Sequence, residues 1–142
     1  MTDPNTAFRF DTRAVVIVRD DLLPWQELNV TAFLSTGIAS DNGLLGEPYR
    51  DADGTHYTPM LREPIIVRVA TAADLKAIRS AAVARGLRTA IYTADLFTTT
   101  NDADNRAAVA TVAAEDLDVV GIGVHGPKNA VDRTVKRSTR HS

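Results

Sequence analysis

The chain has 142 residues, enough for one compact domain that buries roughly 70% of its unfolded surface with no need of a disulfide or structural metal. At 44% hydrophobic, 24% charged and a formal charge of −2, it has a soluble globular composition and no overall field to steer it to DNA or an anionic membrane. The lack of cysteine excludes disulfides, thiol catalysis and cysteine-ligated zinc or iron–sulfur centres.

In chain order, residues 1–10 (MTDPNTAFRF) carry no apolar stretch of export-signal length. No later run approaches the ~20 apolar residues of a membrane span, so a cytoplasmic protein is expected. Residues 14–18 (AVVIV) form a continuous apolar run, the mark of a strand covered on both faces and therefore central in its sheet. Pro24 opens a helix behind Asp20 and Asp21 as capping acceptors. Trp25, Leu28, Ala32 and Ser35 then give that helix an inward stripe, and it ends near Gly37.

Residues 40–62 are rich in Gly, Asp and Pro, and Tyr49 and Tyr57 flank Asp51-Ala52-Asp53-Gly54, which reads as a β-hairpin near residues 48–58. Residues 64–69 (PIIVRV) are a second buried strand. Thr71 caps the next helix with Asp74 at the capping-box position; Leu75, Ile78 and Ala82 form its apolar stripe and Gly86 its stop. Residues 89–92 begin a third strand, 101–115 hold a short helix, 119–124 (VVGIGV) are a fourth strand, and a last helix starts near Pro127. A basic tail follows from about residue 136. This alternation predicts a single domain over 1–142 built as a three-layer α/β/α sandwich.

In such folds, polar groups at the carboxyl ends of strands meet free helix N–H groups, which places the candidate site after the first and third strands. Asp21 or Asp95 can serve as a base for ester hydrolysis, and Asn29, Thr93 and Thr98 as donors to an oxyanion. The structural alternatives are a helix cap for Asp21 and a cap or a bond to Thr98 for Asp95. Arg19 binds a substrate anion or pairs with Asp20 or Glu27, and Trp25 stacks on a base or forms a core edge. His56, in the hairpin, acts as a general base or is a plain exposed loop residue. The three histidines have no ligand spacing, so no metal and no cofactor are expected. Gly121, Gly123 and Gly126 spell the dinucleotide-binding pattern, but inside a strand, where close packing explains them better.

The strings VIVRDDL, PIIVRVATAADL, ARGLRTAIYTAD and VVGIGVHGP together resemble the type II peptidyl-tRNA hydrolases over residues 13–135. PWQELNVTAFL and GTHYTPMLREP look closer still to an uncharacterised bacterial branch, domain-of-unknown-function family two thousand. The resemblance implies a four-stranded mixed sheet of order 2-1-4-3 with the fourth strand antiparallel, a homodimer, and hydrolysis of an acyl ester or amide such as an aminoacyl- or peptidyl-tRNA. Asp21, Asp95 and Thr98 would then be catalytic, with Arg19, Trp25, Asn29, Thr93 and His56 binding substrate. The chain departs from the pattern where the family carries glycine-lysine: here the helix reads WQELN, which puts Leu28 or Asn29 at the lysine. Thr93 falls at the family's aspartate, Asp95 at its glycine, and Thr98 one residue beyond its threonine. The alternative function is a non-catalytic module that holds a small ligand or a protein partner between Trp25 and the hairpin.

Overall fold

The computed structural model describes residues 10–41 and 43–142; the segment 1–9, read above for export signals, and Asn42 in the excursion lie outside the described residues. The elements run β1 (Thr12–Arg19), α1 (Pro24–Ala39), β2 (Tyr49–Arg50), β3 (His56–Tyr57), β4 (Ile65–Ala70), α2 (Ala72–Ala84) and β5 (Arg88–Thr93). A 3₁₀ turn (Ala94–Phe97), α3 (Asp102–Ala110), β6 (Val119–Pro127), α4 (Lys128–Thr134) and β7 (Thr139–Arg140) complete the chain.

The apolar run of β1 decides its place. Ala14 to Val18 are at most 1% exposed, because β1 lies mid-sheet, parallel to β4 on one side and antiparallel to β6 on the other. The main sheet is mixed and has five strands in the order β5-β6-β1-β4-β7, so the expected four strands are corrected to five. The added strand, β7, contributes two exposed residues to the β4 edge, too few to leave an alternation pattern in the sequence. Alternate residues of β1 enter two cores. Val15 and Ile17 join Leu75, Ile78 and Ala82 of α2 and Val131 of α4; Ala14, Val16 and Val18 join Val30, Leu34 and Ile38 of α1. Burial of this kind stabilises by about 25 cal/mol per Å² of apolar surface.

α1 buries a different stripe from the one its sequence suggests. Val30, Leu34 and Ile38 face the sheet, while Trp25 is 56% and Leu28 73% exposed. The helix is apolar on most sides, so periodicity alone does not choose a face; the glycines of β6 do. A Cβ on Gly121 would stand 2.4 Å from Val30 Cγ1, and one on Gly123 3.3 Å from Ile38 Cδ1. That close approach, with both glycines inside β6, is why they spell a dinucleotide pattern without forming a phosphate loop. The expected caps are also corrected: Leu23 occupies the N-cap, and its N–H donates to Gln26 Oε1 at 2.9 Å, leaving Asp20 and Asp21 outside the helix. α1 ends at Ala39, near Gly37 as expected, and Gly37 itself lets the helix lie on β5, where a Cβ would come within 2.7 Å of Ala90 Cβ.

α2 follows its sequence signals closely. The Asp74 N–H donates to Thr71 Oγ1 at 3.1 Å. Gly86, at φ 69°, closes the helix, its N–H reaching the Val83 carbonyl and the Leu87 N–H that of Ala82. In α3, Asn101 accepts from the Asp104 N–H at 2.9 Å, yet none of its residues is buried.

β2 and β3 pair as the expected hairpin. It leaves the carboxyl end of α1 and returns at the start of β4, beside Ala14. The excursion therefore hangs at the end of the sheet opposite Asp21 and Trp25. Among the described residues, no helix is long and apolar enough to cross a membrane.

Candidate functional site

Where β1 ends, Arg19 is held by two carboxylates. Its Nε donates to Asp21 Oδ1 at 2.6 Å and its Nη1 to Asp118 Oδ1 at 2.7 Å. The Ala94 N–H donates to the Asp118 carbonyl at 2.9 Å, tying the end of β5 to the start of β6. Asp21 thus spends an oxygen on Arg19, and Arg19 presents a guanidinium already paired twice.

After β5 the chain makes the 3₁₀ turn that carries Asp95. The Thr98 hydroxyl and N–H both donate to the Asp95 carbonyl, at 2.9 and 3.1 Å, so Thr98 closes this turn while the Asp95 side chain is exposed. Asn29 donates from Nδ2 to the Tyr92 hydroxyl at 3.1 Å. Trp25 meets Phe97 edge-on at 5.6 Å between ring centroids, Phe97 lies 5.1 Å from Tyr92, and Tyr92 6.0 Å from Phe33. This aromatic chain links the start of α1 to its middle across β5.

Of the residues singled out in the sequence, Arg19, Asp21, Trp25, Asn29, Thr93, Asp95 and Thr98 share one end of the sheet. His56 does not. It pairs with Arg50 in the hairpin at the other end, where it cannot reach Asp21 or Asp95. The hairpin likewise does not face Trp25, whose neighbour is Phe97.

Thr93 is 2% exposed, and its Oγ1 is buried with no hydrogen-bond partner. Such a hydroxyl carries a desolvation cost of about 1–3 kcal/mol that an isosteric methyl removes. Thr93→Val is therefore expected to raise the unfolding free energy by about 1 kcal/mol in a denaturant titration. A loss of stability instead would mean that the hydroxyl is satisfied.

A cavity of about 570 Å³ lies between α1, β5 and α3. Phe33, Tyr92, Leu96 and Val109 form its walls, Gly37 and Ala90 its small-residue floor, and Asp102, Asn105 and Arg106 its mouth. The volume falls within the range of small-molecule sites. Burial pushes the Tyr92 phenol above its ordinary titration range, while the Asn29 bond opposes this, so the group remains a protonated donor. Arg106 pairs with Asp102 one turn back on the exposed face of α3. Sequence reasoning missed this cleft. Its only advance signs were a glycine inside α1 and the Tyr92–Phe97 spacing, neither of which points to a cavity.

A second groove of about 760 Å³ runs between α1 and β4, lined by Leu28, Ala32, Ile66 and Val67 and crossed by the chain after β7. There His141 Nε2 lies 3.0 Å from Glu27 Oε2, and the His141 N–H donates to the Val67 carbonyl. This groove has no aromatic wall. Hydrogen bonding to Glu27 holds the His141 imidazole above its ordinary titration range. Because the folded value is raised, the contact favours the folded chain at low pH, and that contribution is lost as pH rises through the folded value. Glu27→Gln should move the NMR titration midpoint of His141 downward; an unmoved midpoint would show that the two do not pair.

At the opposite end of the sheet, Glu63 and His125 form a buried pair, with His125 Nε2 2.6 Å from Glu63 Oε1. The Thr12 hydroxyl lies 3.0 Å from Glu63 Oε2. Among the described residues, no group of three His, Asp or Glu side chains is placed to hold a metal ion.

A family model described as "Protein of unknown function (DUF2000)" matches residues 12–141, and the chain belongs to that family. Among solved structures it is similar to the protein of unknown function Atu0240 from Agrobacterium tumefaciens, at 38% identity and a TM-score of 0.90. The match covers 94% of this chain and 100% of that one. No curated protein matches it.

Proposed function

We propose that this member of the DUF2000 family is a binding module that holds a small, largely apolar ligand in the cleft between α1, β5 and α3. The observation that carries the reading is the cleft itself: about 570 Å³, with the Phe33 and Tyr92 rings as walls and a glycine-alanine floor. Exposed apolar walls are a standing cost unless something covers them. Phe33 is 54% exposed, so trimming it should leave the fold intact. A neutral fluorescent probe such as N-phenyl-1-naphthylamine should bind the intact protein and lose about tenfold in affinity in Phe33→Ala, the loss of roughly one aromatic contact. Equal affinity in a folded Phe33→Ala protein would overturn the reading.

The second reading is a hydrolase of an acyl ester or amide, such as an aminoacyl- or peptidyl-tRNA, on a peptidyl-tRNA hydrolase-like α/β/α scaffold, as a cytoplasmic homodimer. What favours it is the exposed Asp95 carboxylate after β5 at the same end as Asp21, Asn29 and Thr98. Against it, Leu28 stands largely in solvent and Asn29 is spent on Tyr92, so neither supplies the family's cation. Ester or peptidyl-tRNA turnover that disappears in the Asp21→Ala, Asp95→Ala double variant would support this reading. Turnover unchanged in that variant would sink it, and sedimentation would decide the dimer.

A further inference from the structure

The polar groups around the cleft are unevenly spent, and the imbalance says what kind of ligand head fits. The Tyr92 oxygen already accepts from Asn29 Nδ2 at 3.1 Å, so its own proton must be donated elsewhere; among the described residues no acceptor takes it. Tyr92 is only 5% exposed, which makes that idle donor costly. The Asn105 side-chain amide meets the Thr99 hydroxyl, whose single proton also faces the Leu96 carbonyl at 3.0 Å, and at least one Nδ2 hydrogen is left free among the described residues. Arg106 uses Nη1 on Asp102 and keeps its other N–H groups. All three side chains line the same cavity.

At the mouth Asp102 is paired with Arg106, and the Thr36 hydroxyl spends its proton on the Phe33 carbonyl at 2.6 Å. The N–H groups of Arg106 that Asp102 does not use, set beside apolar walls, match a ligand that brings an anionic oxygen on an apolar body.

We infer that the cleft takes an apolar monocarboxylate, its body between Phe33, Tyr92 and Leu96 and its carboxylate on the donors of Arg106 and Asn105. This rests on the cleft being the binding site. A guanidinium is the side chain best shaped for a carboxylate, which it grips through two parallel N–H bonds. The present partner does not prevent that exchange: Arg106 and Asp102 are 70% and 80% exposed, and such i,i+4 pairs are weak enough to yield. An ammonium head would find Asp102 as the one carboxylate among the lining residues, and Asp102 sits in the first turn of α3, where the helix N-terminus already favours its charge. The carboxylate can be that of a free acid or the C-terminus of an apolar peptide; the chemistry recognised is the same.

The test compares three ligands of one chain length, octanoate, octanol and octylamine, on the intact protein and on Arg106→Gln by calorimetry. An acetyl tripeptide ending in a leucine carboxylate is added to separate free acid from peptide end. Octanoate should bind at least about tenfold tighter than octanol, and Arg106→Gln should remove that advantage while octanol affinity stays the same. If octanoate and octanol bind equally and both weaken in Phe33→Ala, the cleft reading stands and the carboxylate inference falls. Tighter binding of octylamine overturns the inference too. If none of the ligands binds at millimolar concentration, both fall.

Discussion

Replacing Glu63 by alanine is expected to cost about 1–3 kcal/mol of unfolding free energy, the range for leaving a buried hydrogen-bonding group without its partner. The side chains of Glu63 and His125 are only 2% and 7% exposed, and they meet at 2.6 Å across 62 residues of chain. Their contact fixes the loop before β4 to the far end of β6, and the Thr12 hydroxyl brings in the start of β1 through the same carboxylate. Alanine leaves the imidazole buried and the half-buried Thr12 hydroxyl without that acceptor, so the loss is a desolvation cost as well as a missing bond. Glu63→Gln should cost less, since an amide oxygen still accepts from Thr12. In contrast, a Glu63→Leu, His125→Phe double variant should recover much of the loss, because apolar groups of similar size need no partners. Urea unfolding at constant slope measures all three. An alanine variant within 1 kcal/mol of the parent would mean that water enters the pair.

The Glu63–His125 pair also shows where the sequence stops being legible. Nothing local marks Glu63 in LREP as buried, and nothing links it to a histidine 62 positions later. By contrast, the features written in short spans were readable. The AVVIV run placed β1 centrally, Thr71 and Gly86 bounded α2, and Asp51 to Gly54 marked the hairpin, because caps, turns and strand runs depend on neighbours a few residues away. Tertiary choices were not. Trp25 and Leu28 match a helical stripe as well as Val30, Leu34 and Ile38 do, and only the glycines of β6 decide which set turns inward. For the site, the end of the sheet was foreseen from Asp21 and Asp95, but the cleft needs α1, β5 and α3 brought together. Arg106 and Asn105 look, in sequence, like the solvent face of a short helix. The orphaned Thr93 hydroxyl is the reverse case: a residue named for its chemistry whose burial the sequence did not foretell.

The second large effect follows from the same glycines. Gly121→Ala would place a methyl group 2.4 Å from Val30 Cγ1 and 2.9 Å from Leu34 Cδ1. Val30 is 0% and Leu34 2% exposed, so neither can swing into solvent, and α1 must move off β6. Overpacking of this kind costs about 1–3 kcal/mol. The displacement also reaches the cleft, because Phe33 and Gly37 ride on α1 and β5 supports Tyr92 opposite them. Gly121→Ala should therefore lower both the unfolding free energy and the affinity for the naphthylamine probe. A compensating change separates packing from any other role of the glycine. Val30→Ala alone should destabilise by opening a cavity, yet in the double variant the new methyl occupies part of that space. The cycle is then expected to show a favourable coupling of about 0.5–3 kcal/mol. With two independent losses that simply add, α1 would not be seated on β6 through Gly121, and the choice of its buried face would need another cause.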